Sequence, residues 1–216
     1  ALRESPHPIV LANPNAPTGI ALSRDEIESL VISNHDRLVI IDEAYYGFGS
    51  DTAAPLVNQY DNIIISRSLS KSHALAGMRV GYALAQPELI DGLNRIKDSF
   101  NSYPLDVVAQ AAAAAAIRDL EWFQQSADLV MQSREMLRQG LIEQGFEVLP
   151  SAANFLFAKH AHASGKALFE GLRARDVLVR RWDEPRIAQW LRVSVGTPEQ
   201  TEQLLGAVAE ALLAYT

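Results

Sequence analysis

Four short apolar runs in the first 85 residues constrain the fold more than any other feature. They are IVLA (9–12), LVIID (38–42), NIIIS (62–66) and RVGYALA (79–85), and turn-forming residues bound each of them. Runs of this length and composition are typical of strands that are buried on both faces, as in parallel sheets. Ser23, with Glu26 three residues later, predicts a capped helix between the first two strands. The pattern predicts an α/β fold with a mostly parallel sheet.

After Pro87 the sequence changes to helical patterning and then to a second mixed segment. Apolar spacing predicts helices over 87–100, 106–119 and 121–144. From Phe146 onward, the segments FEVLP, NFLFAK, KALFEGLRARD, VLVRRW and WLRVSVG, with a last helix from Pro198 to Tyr215, predict a small α+β unit. Because no Gly/Ser/Pro linker separates the two parts, we place the boundary inside the helical region, giving domains 1–125 and 126–216.

Composition narrows the classes of partner. The chain has 26 acidic and 19 basic residues, a net charge of −7, so nothing general in its charge favours nucleic acid or an anionic membrane surface. The absence of cysteine excludes disulfides and thiolate metal sites, and it fits a cytoplasmic location. Since the chain lacks an initiating methionine and its first dozen residues run straight into a predicted strand, we expect it to begin partway through a larger protein.

The segment Ser66–Tyr82 concentrates hydroxyl and basic side chains directly after a predicted buried strand. It contains Ser68, Ser70, Lys71 and Arg79. Hydroxyl donors and a guanidinium are groups that bind phosphate, and a lysine beside them can form an imine with an aldehyde. Taken alone, the segment also fits a solvated turn.

Two further segments place charged side chains at strand ends or within strands. Asp42 ends an apolar strand and needs a cationic or hydrogen-bonding partner such as a protonated pyridine nitrogen, although a strand-end Asp also caps turns. Tyr45 could point to the same cavity or simply pack. Arg192 lies in WLRVSVGT (190–197) among apolar β-formers, so it requires either a protein carboxylate or a ligand anion.

Together with the rigid turn NPNAPTG (13–19), these segments resemble PLP-dependent aminotransferases of fold type I. The order N-P-N-x-P-T-G, D-E-A-Y, S-x-S-K with L-A-G-x-R, and L-R-x-S-V-G-T is the specific part of the likeness. It is closest to the histidinol-phosphate aminotransferase subgroup and runs from about residue 8 to the C-terminus. The resemblance implies a two-part fold, with the C-terminal part of the large cofactor-binding domain followed by a small domain.

The resemblance also implies roles for individual residues. Lys71 corresponds to the lysine that binds pyridoxal 5'-phosphate covalently and moves the substrate proton, Asp42 to the partner of the pyridine nitrogen, and Tyr45 to the partner of the phenolic oxygen. The cofactor phosphate is assigned to Ser68, Ser70 and Arg79, the substrate α-carboxylate to Arg192 with Asn154 near it, and a distal substrate phosphate to Arg180. From the residues alone, Asn154 could equally be a turn residue, and Arg180 could be a surface arginine beside Arg181.

Two departures from the family pattern affect these expectations. Ala16 stands where the family commonly has an asparagine that bonds the phenolic oxygen, which leaves Asn15 as a substitute candidate. The Gly-containing phosphate loop and the ring-stacking aromatic residue, which the family has further upstream, have no counterpart here. We therefore expect little transaminase activity from the isolated chain.

The expected function is transamination between histidinol phosphate and 2-oxoglutarate, in histidine biosynthesis, by a cytoplasmic homodimer. The expected partners are a small-molecule amino donor and a 2-oxo acid, with no nucleic acid, membrane or metal. A threonine-phosphate decarboxylase or an aromatic aminotransferase of the same fold remains an alternative, because the motifs report cofactor chemistry more than substrate choice. A non-catalytic truncated fragment is the alternative from another class.

Overall fold

A computed structural model describes residues 7–213, and the chain divides into two compact units. One comprises Ala1–Asn15 with Ala21–Gln125, and the other comprises Ala16–Ile20 with Ser126–Thr216. The short segment Ala16–Ile20 therefore groups with the second unit, which the sequence boundary did not anticipate. The predicted end of the last helix at Tyr215 lies outside the described residues.

The first unit contains a four-stranded sheet in the described part of the chain. Its strands are β1 (Ile9–Ala12), β2 (Val39–Asp42), β3 (Ile63–Ser68) and β4 (Gly81–Leu84), arranged in the order β1-β2-β3-β4. β1, β2 and β3 are parallel and β4 pairs antiparallel with β3, so the sheet is mostly parallel, as predicted, with an antiparallel fourth strand. The reason is local: the segment 69–80 between β3 and β4 holds only the four-residue helix α2 and a short 3-10 turn, not the longer helix that usually makes a parallel crossover.

Five helices follow or connect these strands: α1 (Arg24–Ser33), α2 (Leu69–Ser72), α3 (Pro87–Phe100), α4 (Val107–Arg118) and α5 (Leu120–Glu143). Ser23 and Glu26 form the capping box predicted for α1. Asp106 caps α4 by accepting a hydrogen bond from Ala109 N at 2.8 Å. Within residues 7–213, none of the helices has the length and apolar character needed to cross a membrane.

The sheet packs its core on one face. Ile27 and Val31 of α1 are buried in one cluster with alternate strand residues, among them Ile41 and Ile65. On the opposite side of β1, Val10 is 71% exposed. The expectation of strands buried on both faces was therefore wrong for β1, because its side chains alternate between the α1 layer and an open face.

The second unit has an antiparallel sheet in the order β5-β6-β7, formed by β5 (Phe146–Val148), β6 (Phe155–His160) and β7 (Leu191–Ser194). Helices α6 (Gly165–Arg173) and α7 (Pro198–Leu212) contribute to its core, where Leu168 and Val208 are buried with Leu156 of β6. The VLVRRW run forms only a single bridge, between Arg180 and Arg192. The residues on either side of Arg180 are irregular, so the run adds no full strand.

Candidate functional site

The carboxyl ends of the three parallel strands lie level at one edge of the first sheet. Ala12 is paired with Asp42, and Asp42 with Ser66, so the segments that follow each strand begin at the same edge. Ligands of open α/β sheets bind at such edges. Asp42 is half-buried there, and its Oδ1 accepts a hydrogen bond from Ala44 N at 3.0 Å. Its carboxylate therefore caps the following turn while one oxygen has capacity for a further partner.

Lys71 lies on the short helix α2 immediately beyond β3. Ser68 caps this helix, accepting a hydrogen bond from Ser70 N at 3.1 Å, and the two serine hydroxyls are 2.8 Å apart. Lys71 is exposed, and its Nζ lies 5.9 Å from the centre of the Tyr45 ring. The structure thus brings together the lysine, both serines and Tyr45 at the edge where Asp42 ends β2.

Arg79 follows the α2 region in an uncommon backbone conformation. Its φ is +55°, in the left-handed region, and its guanidinium is exposed and donates to Ala76 O at 3.0 Å. Residues other than glycine adopt this conformation rarely, and it is enriched at ligand sites. Arg79 keeps most of its donors available in the described part of the chain.

A buried ion pair, which the sequence reading missed, supports this edge. Glu43 is 2% exposed, and its Oε2 lies 2.9 Å from Arg67 Nε and 2.8 Å from Arg67 Nη2. Thr52 Oγ1 donates to Glu43 Oε2 at 2.9 Å and accepts from Arg67 Nη2 at 2.6 Å, while Ala53 N donates to Glu43 Oε1 at 2.7 Å. Strand alternation places Glu43 and Arg67 on the same face as the buried Ile41 and Ile65, but only the register of β2 against β3 shows that the two charges pair.

An aromatic stack continues from this pair to the lysine helix. The Arg67 guanidinium lies 3.7 Å above the centre of the Tyr46 ring, Tyr46 stacks on Phe123 at 5.8 Å, and Phe123 stacks on His73 at 5.0 Å. Burial lowers the pKa of His73, two residues beyond Lys71. A Cβ on Gly47 would lie 2.6 Å from Phe123 Cζ, so this glycine permits the close approach. The stack links the turn after β2 with α2.

The NPNAPTG turn depends on Asn13, which the sequence reading did not single out. Asn13 is 1% exposed, its Oδ1 accepts from Leu22 N at 2.7 Å and its Nδ2 donates to Leu22 O at 3.1 Å. These two hydrogen bonds join the two ends of the loop between residues 13 and 22. Asn15 is half-buried and Ala16 is exposed within the loop.

The second unit presents Arg180 and Arg192 as direct cross-strand neighbours. Arg180 N donates to Arg192 O at 3.0 Å, and Arg192 N donates to Arg180 O at 2.8 Å. Side chains of such a pair project from the same side of the ribbon. Within residues 7–213 neither guanidinium forms an ion pair, whereas the neighbouring Arg181 pairs with Asp183 at 2.6 Å. Arg180 and Arg192, unlike Arg181, are thus available to bind an anion.

Asn154 precedes β6 in the second unit. Its backbone oxygen accepts a hydrogen bond from Val195 N at 2.9 Å, which ties it to the residue after β7, and the residue is half-buried. Among the described residues no group of three or more His, Cys, Asp or Glu side chains could hold a metal ion. The candidate chemistry in this unit is therefore anion binding by guanidinium groups.

Comparison with known proteins assigns the chain to a family. The sequence profile described as Aminotransferase class I and II matches residues 1–208. The chain belongs to the class I and II aminotransferase family.

Curated aminotransferases of this family are similar over almost the whole chain. The histidinol-phosphate aminotransferase of Gluconacetobacter diazotrophicus is 53% identical over 204 residues, covering 94% of this chain and 57% of that protein. Histidinol-phosphate aminotransferase 1 of Bradyrhizobium diazoefficiens is 52% identical, covering 94% of this chain and 58% of that protein. The chain thus spans a little more than half the length of these aminotransferases.

Solved structures show the same fold. A protein from Erwinia carotovora atroseptica, 30% identical, has a TM-score of 0.88 over 99% of this chain and 63% of its own. The histidinol-phosphate aminotransferase of Sinorhizobium meliloti, solved in complex with pyridoxal-5'-phosphate, has a TM-score of 0.87 at 23% identity and covers 96% of this chain and 57% of its own. The aminotransferase chain described here therefore has the α/β fold of PLP-dependent transferases of fold type I.

Proposed function

We propose that this chain is part of a PLP-dependent aminotransferase that transfers an amino group between histidinol phosphate and 2-oxoglutarate. The observation that carries the proposal is the Arg180–Arg192 pair, whose guanidiniums lack a carboxylate partner within residues 7–213. A phosphate ester has enough oxygens to accept from both. The identity of about half to two histidinol-phosphate aminotransferases supports the same substrate.

The donor groups at the edge of the first sheet fit pyridoxal 5'-phosphate. The phosphate would bind to Ser68, Ser70 and the exposed Arg79, whose hydroxyls and guanidinium are the donor types that phosphate requires. Asp42, half-buried at the end of β2, provides an anion for a protonated pyridine nitrogen. Asn15, within the nearby turn, is a further candidate for a polar contact.

Each side chain then has a defined task. When bound, the cofactor supplies an electron sink for the carbanion at the substrate α-carbon. Lys71 Nζ would hold the cofactor and would carry the proton to and from that carbon. Tyr45, whose ring centre lies 5.9 Å from Lys71 Nζ, would donate a hydrogen bond to the phenolic oxygen. Asp42 would keep the proton on the ring nitrogen.

Arg180, Arg192 and Asn154 would serve the substrate in the second unit. Histidinol phosphate has no α-carboxylate, so Arg192, which was expected to bind that group, would bind the phosphate of the donor together with Arg180. In the other half-reaction Arg192 would bind the α-carboxylate of the 2-oxo acid. Asn154 would add a hydrogen bond beside Arg192. Residues 1–125 would then be the C-terminal part of the cofactor-binding large domain, and 126–216 the small domain.

The proposal includes a cytoplasmic homodimer. α3 has no buried residue, and Ile96 and Phe100 on it are 68% and 92% exposed. Contiguous exposed apolar side chains mark interaction surfaces. Sedimentation of the chain tests the oligomeric state: we expect a dimer that Phe100→Glu dissociates, and a monomer at every concentration would contradict it.

Fractionation of the source cells tests the proposed cytoplasmic location.

Substrate choice is tested with the protein that contains this chain. Histidinol phosphate, phenylalanine and phosphothreonine are offered in turn as donors, while the absorbance of bound cofactor and the release of carbon dioxide are followed. We expect the fastest conversion with histidinol phosphate and the largest loss for that donor in Arg180→Gln. Carbon dioxide release from phosphothreonine would instead indicate a decarboxylase.

Cofactor binding is tested on the chain itself. The chain is mixed with pyridoxal 5'-phosphate, reduced with borohydride and digested, and the labelled peptide is identified by mass spectrometry. We expect the label on Lys71 and its loss in Lys71→Ala, with Lys97→Ala as the control because Lys97 lies on the exposed helix α3. An unlabelled Lys71 would favour the non-catalytic fragment.

A further inference from the structure

Trp182 lies against both arginines of the second unit. The Arg180 guanidinium carbon is 5.1 Å from the centre of the Trp182 ring, and that of Arg192 is 5.6 Å from it. Arg192 also lies 5.0 Å from the centre of the Phe155 ring. These distances are within the range of cation–π attraction. One indole thus contacts both positive charges.

The indole is itself held by the core of the unit. Trp182 meets Phe157 edge to face, with ring centres 6.2 Å apart and planes at 74°. Phe157 lies on β6, is 1% exposed, and pairs in register with Arg192 on β7. This contact with a buried β6 residue restricts the positions that the half-buried indole can take.

The aromatic ring of Trp182 can order the neighbouring guanidiniums of Arg180 and Arg192. Like charges on adjacent residues repel, and arginine side chains have many rotamers, so both would otherwise spread into solvent. A shared aromatic face attracts each of them and restricts both to one side of the ribbon. Groups that are ordered before the ligand arrives lose less freedom on binding.

We propose that Trp182 is the positioning residue of this anion site, holding Arg180 and Arg192 so that both bind one tetrahedral dianion. The inference rests on the proposed function for the identity of the ligand, a phosphate ester. A phosphate has several oxygens in different directions and can accept from two guanidiniums at once, whereas the two oxygens of a carboxylate fit one bidentate guanidinium well. Trp182 therefore strengthens the binding of phosphate more than the binding of carboxylate.

The test measures binding of inorganic phosphate and of acetate to the intact chain, without cofactor, by titration of the arginine Nε–H and tryptophan Nε1–H signals in nitrogen–proton NMR spectra. In Trp182→Leu we expect phosphate affinity to fall about three- to tenfold. Acetate affinity should change less than about twofold, because acetate engages one guanidinium. Trp182→Phe retains an aromatic face and should recover most of the phosphate affinity.

Trp190→Phe is the matched control, since Trp190 stacks on the same Phe157 at 5.0 Å but faces Lys159 at 4.8 Å. Its phosphate affinity should equal that of the unmodified chain. The inference is overturned if the chain binds no phosphate, if Trp182→Leu binds phosphate as tightly as the unmodified chain, or if phosphate and acetate weaken equally. If phosphate binding depends on Trp182 but the protein that contains this chain performs no transamination, the proposed function is wrong and the inference about Trp182 stands.

Discussion

Arg67 and Glu43 form a buried ion pair between the ends of two parallel strands, with Arg67 Nε 2.9 Å from Glu43 Oε2. Glu43 follows Asp42 directly, and Arg67 directly precedes Ser68. Burial alone would lower the pKa of Arg67, but hydrogen bonds to Tyr82 and Glu43 together outweigh it and raise the pKa above its ordinary value. Arg67 therefore remains charged, and the pair ties the segment with Asp42 to the one that leads to Lys71.

Removing one partner of this pair is expected to destabilise the protein strongly. Glu43→Gln leaves the Arg67 charge without its buried counter-charge, which costs about 3–5 kcal/mol in such settings. Urea denaturation followed by circular dichroism measures the change. The double variant Glu43→Gln with Arg67→Met should recover part of the loss, because no uncompensated buried charge remains.

The exposed pair Glu147–Lys159 is the control. Its side chains are 57% and 36% exposed at an oxygen–nitrogen distance of 2.9 Å. Solvent screens such a pair, so Glu147→Gln should change the unfolding free energy by about 0–1 kcal/mol. Equal losses in Glu43→Gln and Glu147→Gln would show that burial of the first pair does not determine its energetic role.

Asn13→Ala is expected to loosen the base of the NPNAPTG turn. The change removes both partners of the Leu22 backbone, which are bonded at 2.7 and 3.1 Å, and should cost about 1–3 kcal/mol. Hydrogen exchange of the Leu22 amide should accelerate as well. Asn101→Ala, which removes a solvent-exposed bond to Tyr103 N, should stay within about 0.5 kcal/mol. An unchanged hydrogen-exchange rate of the Leu22 amide would show that the Asn13–Leu22 hydrogen bonds do not hold the turn.

Gly47→Ala is expected to disturb the aromatic stack. Gly47 has φ of +100°, and the added Cβ would meet Phe123 Cζ at 2.6 Å. Strain and the clash together should destabilise by more than about 1 kcal/mol and reduce the near-ultraviolet circular dichroism of the stack. Gly92→Ala, inside α3 with open space around it, should instead stabilise by about 0.5–1 kcal/mol. A neutral Gly47→Ala would exclude tight packing there.

Acid is expected to destabilise the protein in part through His73. Burial lowers the pKa of His73 below the value of 6.5 that applies to the unfolded chain. As the pH falls through about 6.5, the unfolded state therefore binds the proton first, and the unfolding free energy decreases. Above that pH the ring is neutral in both states and makes no such contribution.

His73→Phe keeps a ring against Phe123 but removes the titration, so its stability should decline less between about pH 8 and pH 5. Denaturation at several pH values measures the difference between the two proteins. If this difference is the same at every pH, the ring of His73 does not titrate with folding. An NMR titration of the His73 carbon-bound protons gives the pKa directly.

Much of the fold follows from local patterns in the sequence. The capping box of Ser23 and Glu26 correctly predicted where α1 begins, and the apolar runs correctly located β1, β2 and β3. These features involve neighbours a few residues apart, so the sequence displays them directly. The direction of β4 and the exposure of Val10 could not be obtained that way, because both depend on which elements lie beside a strand.

In the candidate site, too, local sequence patterns identified some residues, and only tertiary contacts identified the others. The motifs pointed to Lys71, Asp42 and Arg192 through residue type and spacing, and their roles as cofactor and substrate ligands remain predictions. Asn13, Arg67 and Trp182 were missed, since each acts through a contact with a residue that is distant in sequence or through a neighbour's orientation.

The sequence by itself determined the family, most of the strand and helix segments and the set of reactive side chains. Tertiary structure alone decided that Glu43 and Arg67 neutralise each other, whereas Arg180 and Arg192 meet only aromatic rings and backbone within the described residues. All four are charged residues within or beside strands, and nothing in their types separates the two cases. What separates them is register, because the parallel pairing of β2 with β3 sets opposite charges side by side, and the Arg180–Arg192 bridge sets like charges side by side.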